Sequence, residues 1–315
     1  MNKNLSKIHP ELQDVARKSP RFNFSKRNLW FINLLMRLMP SPKNLDNIYV
    51  ENIFIPAQDD QAQIRLRIYK PASADAPTPL LLWMHGGGYV IGKPEQDDGS
   101  CAQFVRELEI TVVSVDYRLA PKNPFPAALN DCYSALKWMV SNSQELSIDP
   151  TRIAIGGNSA GGGLAAALAQ YAHDRKEIEP VFQLLIYPML DDRTVLRTEI
   201  DDSNNITWNH NSNRFGWESY LGGAWGAENV PAYSVPARRA NLSGLPPAWI
   251  GVGTLDIFHD EDIAYAQKLE EYGVECELAI IPGGFHGFDV FDSRISVVQE
   301  FRNSQINALR KYLFK

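Results

Sequence analysis

A serine that could act as a nucleophile lies in a glycine-rich turn near the middle of the chain. The segment Gly157 to Gly161 fits the GxSxG pattern, in which a sharp turn between a strand and a helix exposes the serine hydroxyl. Glycines are needed there because such a turn is strained and brings neighbouring backbones close together. The string alone is a weak signal, but the apolar run Ile153–Ile155 precedes it and the alanine-rich run Leu164–Tyr171 follows it. This context favours Ser159 as a nucleophile over a bystander serine at a helix start.

A base and an acid that could activate this serine follow later apolar runs. A serine hydroxyl reacts when a base removes its proton, and the base must be held by a third group. His286 lies in a glycine-rich loop after the last apolar run, and Asp256 follows the run that ends at Gly253. Serine, acid and histidine in this chain order form one of the known arrangements of such a triad. We therefore predict a catalytic triad of Ser159, His286 and Asp256.

Three other acidic residues in the same segment are alternatives to Asp256. Asp260, Glu261 and Asp262 lie close to Asp256. Acidic residues in the first turn of a helix are favoured by capping and by the helix dipole, which accounts for these three without catalysis. Asp256 is preferred because it lies nearest the strand end. His259 beside this acidic run has no matching pair of metal ligands, so no metal site is predicted.

A second glycine-rich motif begins directly after another apolar run. The segment His85 to Gly88 fits the HGGG pattern, whose backbone amides stabilise the oxyanion formed during acyl transfer. We interpret His85 as an orienting hydrogen-bond residue and Gly88 as support for the motif. The alternative is a flexible glycine turn without function, but the two motifs occur in the expected order, each after its own strand. The predicted oxyanion donors are the amides of Gly86, Gly87 and Ala160.

Short continuous apolar runs follow Pro79 and are typical of parallel strands buried on both faces. They alternate with helical segments, so the predicted fold class is α/β: a mostly parallel, doubly wound sheet of about eight strands, with helices on both faces and a helical cap. Two strands with alternating polarity precede them, joined by a turn around Asp59 and Asp60. The predicted strands are Tyr49–Pro56, Ile64–Tyr69, Leu80–Met84, Ile110–Val115, Ile153–Ile155, Phe182–Tyr187, Ala248–Val252 and Glu277–Ile281. The predicted helices are Asp97–Leu108, Pro126–Ser141, Ser159–His173, Ile263–Tyr272 and Val297–Leu313.

A long interval between Pro188 and Pro246 has no predicted parallel strand but is rich in aromatic residues. A connection of this length inside a compact domain is usually functional or a subdomain. We interpret it as part of a cap, joined by the N-terminal helices and the connector Met39–Lys43, and we assign its aromatics to cap packing. The predicted parts are an N-terminal cap segment at 1–48, the first core part at 49–190, the second cap segment at 191–243 and the second core part at 244–315.

The composition limits the class of protein. The chain has 315 residues, of which 44% are apolar and 22% charged, with a net charge of -6, so we expect a globular protein with a small-molecule partner and no nucleic-acid partner. Cys101, Cys132 and Cys276 are widely spaced and favour free thiols in a reducing, cytoplasmic compartment. No secretion signal is evident at the N-terminus.

The most apolar stretch near the N-terminus is Leu29–Met39, and we consider whether it could interact with a membrane. Asn33 and Arg37 interrupt it, and it is too short to span a bilayer, so we do not expect stable membrane insertion. We interpret it as a helix over the protein's own apolar site. Docking on a membrane surface is the alternative.

The motifs together resemble the hormone-sensitive-lipase-like group of α/β-hydrolases, which includes bacterial carboxylesterases. The matching segments are His85–Gly88, Asp116–Pro121, Gly157–Gly161, Asp256 with Asp260 and Glu261, and His286–Phe288. The resemblance implies a serine esterase without a cofactor, a cap built from the two segments above, and often a homodimer formed through the edge of the last strand. It also implies that Asp116–Pro121 is structural. His259 stands where arginine is common in the group, which leaves the triad unaffected.

The predicted function is hydrolysis of small to medium carboxylic esters through an acyl-enzyme, because a long aromatic cap fits an enclosed apolar pocket. A lipase or an amidase of the same fold is the near alternative. A non-catalytic small-molecule binder would be expected if the base were lost, but His286 is present. A membrane-associated lipid hydrolase would depend on Leu29–Met39.

Overall fold

A computed structural model of the chain describes residues 4–19, 21, 23–38, 45, 47–58, 62–72, 76–223 and 225–315. The turn predicted around Asp59 and Asp60 and the connector Met39–Lys43 lie outside these residues. Within the described ranges, no helix combines the length and the apolar character needed to cross a bilayer.

A single eight-stranded sheet forms the centre of the protein, as the apolar runs predicted. Its spatial order is β1-β2-β4-β3-β5-β6-β7-β8. Strand β2 pairs antiparallel with both of its neighbours, and the remaining pairs are parallel. The predicted α/β fold with a mostly parallel sheet is confirmed. The strands are β1 Ile48–Pro56, β2 Gln63–Pro71, β3 Thr78–Met84, β4 Thr111–Asp116, β5 Ile148–Asn158, β6 Phe182–Ile186, β7 Ala248–Gly253 and β8 Cys276–Ile281.

Helices cover both faces of the sheet because successive side chains of a strand point to opposite faces. Leu80 and Leu82 of β3 belong to the core beneath α4, α6 and α8, whereas Leu81 and Trp83 belong to the core beneath α3 and α9. The helices are α1 Gln13–Lys18, α2 Leu29–Leu38, α3 Asp98–Leu108, α4 Ala127–Ser141, α5 Ser143–Leu146, α6 Ala160–Arg175, α7 His210–Tyr220, α8 His259–Glu271 and α9 Ser296–Leu313.

The interval after β6 lies over the carboxyl ends of the strands through helix α7. Trp217 and Tyr220 of α7 are buried, and both rings contact Tyr89, which follows the HGGG motif. Gly216 of the same helix approaches the carbonyl oxygen of Gly88 so closely that an added Cβ would lie 2.9 Å from it. The aromatics of α7 therefore fix this interval on the loop that carries the HGGG motif.

Candidate active site

Three side chains meet where β5, β7 and β8 end. Ser159 follows β5, Asp256 follows β7 and His286 follows β8. His286 Nε2 lies 2.9 Å from Ser159 Oγ, and His286 Nδ1 lies 2.7 Å from Asp256 Oδ2. A carboxylate oxygen can only accept a hydrogen bond, so Nδ1 of His286 is the donor to Asp256. In a neutral imidazole Nε2 then carries no proton and can accept from the Ser159 hydroxyl. The sequence motifs thus converge on one hydrogen-bonded chain of serine, histidine and aspartate.

The serine occupies a strained backbone position between β5 and α6. Its φ is 55° and its ψ is -121°, a conformation that is sparsely populated for residues other than glycine. Hydrogen bonds on both sides hold it: Ser159 N donates to Ile186 O at 2.9 Å, and Ser159 O accepts from Met189 N at 3.0 Å. Hydrogen bonds to the last residue of β6 and to the loop that follows it therefore stabilise this strained conformation.

The flanking glycines are required by close backbone contacts. A Cβ on Gly161 would lie 2.0 Å from the carbonyl oxygen of Met84, and a Cβ on Gly157 would lie 2.4 Å from the same oxygen. Met84 is the last residue of β3, directly before the HGGG motif. The elbow and the HGGG loop consequently pack backbone against backbone.

The imidazole of His286 is fixed by more than its two triad partners. The rings of Tyr187 and Phe258 contact it in T-shaped arrangements, with centroid distances of 4.8 and 5.2 Å. Thr207 Oγ1 donates to the carbonyl oxygen of His286. Asp256 is held in turn, because its Oδ1 accepts from Phe258 N at 3.0 Å. These contacts limit rotation of both triad partners of the serine.

The residues predicted to supply the oxyanion donors lie beside Ser159. A Cβ on Gly86 would lie 3.4 Å from Ser159 Cβ, which places this loop within reach of a group attached to the serine. Ala160 is the first residue of α6, immediately after Ser159. Within the described part of the chain, the amides of Gly86, Gly87 and Ala160 donate to no backbone carbonyl, so they are available to an oxyanion.

Two side chains hold the peptide between Gly86 and Gly87 from its outer side. The carbonyl oxygen of Gly86 lies 2.8 Å from His85 Nδ1 and accepts from Gln96 Nε2 at 3.2 Å. Since a trans peptide directs its N–H opposite to its C=O, these bonds turn the Gly87 N–H away from His85 and Gln96. Burial lowers the pKa of His85, so the ring is neutral and its Nδ1 is the donor. This geometry supports the prediction that His85 is an orienting hydrogen-bond residue.

The segment Asp116–Pro121 supports this loop from below. The ring of Tyr117 stacks on His85 at 4.2 Å, and its hydroxyl donates to the carbonyl oxygen of His85 at 2.7 Å. Asp116 pairs with Arg65, and Ala120 N donates to Tyr89 O at 2.9 Å. Through Tyr117 and Ala120 the segment therefore contacts the loop that begins at His85.

The rival acids have other partners. Asp260 bonds to His259 and Arg197 at 2.7 and 2.8 Å. Glu261 is buried and accepts from the backbone of the segment that follows β6, with Leu190 N at 2.7 Å. Asp262 is buried at the start of α8, and its burial raises its pKa well above the usual range. Asp256 is therefore the member of this segment that bonds to His286.

Sequence reasoning missed the side chains that complete the site. Gln96 lies in a polar segment after the HGGG motif, and Tyr187 and Phe258 follow strands that were assigned only to the core. Trp208 packs on Gly88, where an added Cβ would lie 2.0 Å from the indole. Gln96 could have been proposed from the sequence as a polar side chain close to the HGGG motif. Trp208 could not, because it is one of many aromatic residues in the interval 188–246. Among the described residues, no three His, Cys, Asp or Glu side chains are grouped so that they could hold a metal ion.

Comparisons with known proteins agree with this geometry. A family model described as alpha/beta hydrolase fold matches residues 81–290. Esterase LipI of Mycobacterium tuberculosis (strain ATCC 25618 / H37Rv) is 36% identical over 254 residues, covering 79% of this chain and 78% of LipI. Carboxylesterase NlhH of Mycobacterium tuberculosis (strain CDC 1551 / Oshkosh) is 34% identical over 283 residues, covering 89% of this chain and 88% of NlhH. The solved structure of a bacterial heroin esterase superposes with a TM-score of 0.91 at 34% identity, covering 98% of this chain and 99% of that chain. The chain therefore belongs to the α/β-hydrolase fold family, in its hormone-sensitive-lipase-like group, as its motifs predicted.

Proposed function

We propose that the protein is a serine carboxylesterase that hydrolyses small to medium acyl esters through an acyl-enzyme, with Ser159, His286 and Asp256 as its triad. The observation that carries the proposal is the unbroken hydrogen-bonded chain from Ser159 Oγ to His286 Nε2 at 2.9 Å and from His286 Nδ1 to Asp256 Oδ2 at 2.7 Å. Membership in a family whose relatives are esterases and carboxylesterases supports the same reaction class.

The first half of the reaction forms the acyl-enzyme. Ser159 Oγ attacks the ester carbonyl while its proton moves to His286 Nε2, and the carbonyl oxygen becomes an oxyanion that accepts from the amides of Gly86, Gly87 and Ala160. Asp256 remains ionised and stabilises the imidazolium. When the tetrahedral intermediate breaks down, the Nε2 proton passes to the leaving alkoxide, which departs as the alcohol.

The second half returns the enzyme to its starting state. A water molecule gives one proton to His286 Nε2 and its oxygen attacks the acyl carbonyl, so the same amides bind a second oxyanion. Cleavage of the bond to Ser159 Oγ releases the carboxylic acid, and the Nε2 proton returns to the serine. This scheme uses groups of the chain and water, and it requires no cofactor.

Limited exposure of the serine supports a preference for small to medium acyl groups. Ser159 is only 6% exposed. Trp208 packs on Gly88, and the ring of Phe24 contacts Trp208 at 5.4 Å, so aromatic residues close the space above the oxyanion loop. We propose that 1–48 and 191–243 act as the cap and that 49–190 and 244–315 form the catalytic core.

Two further parts of the proposal concern assembly and compartment. Strand β8 is the last strand of the sheet order, so its outer edge could pair with a second copy in a homodimer. Cys101, Cys132 and Cys276 are free thiols, which suits a reducing compartment such as the cytoplasm. Sedimentation analysis tests the dimer, because a monomer at all concentrations contradicts it.

The function is tested by hydrolysis of p-nitrophenyl esters from acetate to palmitate. We expect turnover of the shorter esters by the native protein and none above background by Ser159→Ala. Ser243→Ala alters an exposed serine far along the chain and should retain native turnover. A folded native protein that is inert on every ester contradicts the proposal, and activity on anilides alone would indicate an amidase. A maximum at palmitate would instead indicate a lipase.

A further inference from the structure

Helix α2 exposes a continuous apolar face. Trp30 is 75% exposed and Leu38 is 70% exposed, and the side chains of Phe31, Leu34 and Leu35 are also exposed. At 100° per residue, these five positions fall on one half of the helix. We call them the α2 outer face. Soluble proteins rarely expose apolar residues in such a contiguous group, so this face fits a surface that the described part of the chain does not provide.

The opposite side of α2 already faces the protein. Leu29, Ile32, Asn33 and Met36 are half-buried, and Asn33 Nδ2 donates to Val90 O at 3.4 Å. A cavity of about 880 Å³ lies beneath the helix, lined by α2 residues together with residues that follow the HGGG loop. The inner side of α2, together with Trp30 and Leu34 at its border, therefore lines a cavity of the protein. Phe31, Leu35 and Leu38 do not line this cavity, and with the exposed parts of Trp30 and Leu34 they are left for a different occupant.

The charge of the surrounding segment identifies that occupant. Residues 15–45 contain seven Lys or Arg residues and no Asp or Glu, although the whole chain has a net charge of -6. Lys26 and Arg27 are exposed directly before the first turn of α2. An apolar helix face bearing tryptophan, phenylalanine and leucine beside cationic residues is typical of a helix that lies in the interface of an anionic lipid layer.

A second copy of the chain fits this face less well. A stable protein interface buries about 800 Å² on each partner, whereas a helix of 10 residues is only about 15 Å long. A symmetric contact through α2 would also bring two cationic segments together. We propose that the α2 outer face docks the cap reversibly on anionic lipid surfaces, without crossing the bilayer. This binding is independent of the triad and can be measured in its absence.

Flotation of the full chain with vesicles tests the proposal. One set of vesicles contains phosphatidylcholine alone, and the other contains equal parts phosphatidylcholine and phosphatidylglycerol. We expect binding to the anionic vesicles, weaker binding to the neutral vesicles, and release by salt, because surface charges are screened. Lys26→Gln should weaken binding to anionic vesicles by about fivefold, since one cation near such a surface contributes about 1 kcal/mol.

The apolar contribution has a matched control on the same molecule. Trp30→Gln with Leu38→Gln removes apolar groups from the α2 outer face, and we expect at least about a tenfold loss of vesicle binding. Phe314→Gln replaces a side chain that is 48% exposed beside Arg152 near the start of β5, whereas α2 lies over residues that follow β3 and β4, and this variant should bind as the native chain does. Circular dichroism and thermal melting check that all variants are folded.

Three results would overturn the proposal. The first is a folded native chain that floats with neither set of vesicles. The second is undiminished flotation of the variant with both Trp30→Gln and Leu38→Gln. The third is self-association that this variant abolishes while the native chain binds no vesicles, which would assign the face to a second copy.

Discussion

The hydrogen bond from His85 to the carbonyl oxygen of Gly86 offers a test of how the oxyanion loop is positioned. His85 Nδ1 lies 2.8 Å from that oxygen, and Gln96 Nε2 shares it at 3.2 Å. Leucine and asparagine have nearly the same shape, but only asparagine has a donor near the position of Nδ1. His85→Leu and His85→Asn therefore lose the same stacking on Tyr117 and differ in the hydrogen bond.

The expected size of the difference follows from the type of bond. A hydrogen bond between neutral groups contributes about 0.5–1.5 kcal/mol, which corresponds to about a two- to tenfold change in rate. Complete loss of one oxyanion donor would cost about a hundred- to a thousandfold. Gln96 still holds the same carbonyl oxygen after substitution of His85, so we expect kcat of His85→Leu to lie about two- to tenfold below that of His85→Asn.

The assay is steady-state hydrolysis of p-nitrophenyl acetate, with the affinity for a boronic acid as a second readout. The amides act on the oxyanion more than on the bound ester, so kcat should fall while KM changes little, and boronate affinity should fall in parallel. Gln96→Leu should show a smaller effect, because Gln96 is exposed and its bond is longer. Equal kcat values for folded His85→Leu and His85→Asn would refute the positioning role.

Three further predictions follow from contacts around the site. Asp256→Asn should lower kcat by about ten-thousandfold, since the amide favours the wrong imidazole tautomer. Asp260→Asn should retain native activity, because Asp260 bonds to His259 and Arg197. Similar kcat values for the two variants would contradict the assignment of Asp256 as the acid. Gly99→Ala should raise the melting temperature, because its methyl group would meet no atom within 4 Å and alanine reduces the conformational freedom of the unfolded chain. Gly161→Ala should prevent stable folding, because its Cβ would lie 2.0 Å from the Met84 carbonyl oxygen. A soluble Gly161→Ala variant with a native-like melting temperature would contradict this second expectation. Burial raises the pKa of Asp97 to about 7 against the opposing hydrogen bonds from Trp83 and Asn158, so the folded chain keeps a proton that the unfolded chain releases above its ordinary value of 3.8. Asp97 should therefore make stability fall between about pH 4 and pH 7, by at most about 1.4 kcal/mol per pH unit, and urea titrations should show a flatter profile for Asp97→Asn.

Local sequence signals identified the sheet well, but they placed some boundaries wrongly. Strand β5 begins at Ile148 instead of the predicted Ile153, because Ile148 pairs with Thr78 before an irregularity in the ladder. The intervening residues 149–152 are three polar residues and a proline, all partly or fully exposed, so no apolar run marks them. Helix α8 begins at His259 instead of Ile263, because its first turn is acidic and apolar periodicity starts only later. Apolar patterns thus detect what is buried and miss the polar ends of the same elements.

The cap was less predictable than the core for a physical reason. Helix α7 contains asparagine, serine and glycine, which have weak helix propensity, and its stability comes from burial of Trp217 and Tyr220 against Tyr89. That contact joins segments more than a hundred residues apart, which no local pattern encodes. The same holds for Trp208 on Gly88. The triad, in contrast, could be proposed from motifs because its members directly follow strand ends that the sequence marks.

The register between β3 and β5 explains why two motifs that are distant in the sequence can serve one site. Met84 pairs with Gly157 in the parallel ladder, so the residues that follow each strand emerge side by side at the same edge. Gly161 then packs on the Met84 carbonyl at a distance that only glycine permits. Strand pairing and backbone contact therefore hold Ser159 beside the loop of Gly86 and Gly87. If 191–243 acts as the proposed cap, we expect changes there that spare the contacts with Gly88 and Tyr89 to alter which esters reach Ser159 and to leave this strand pairing unchanged.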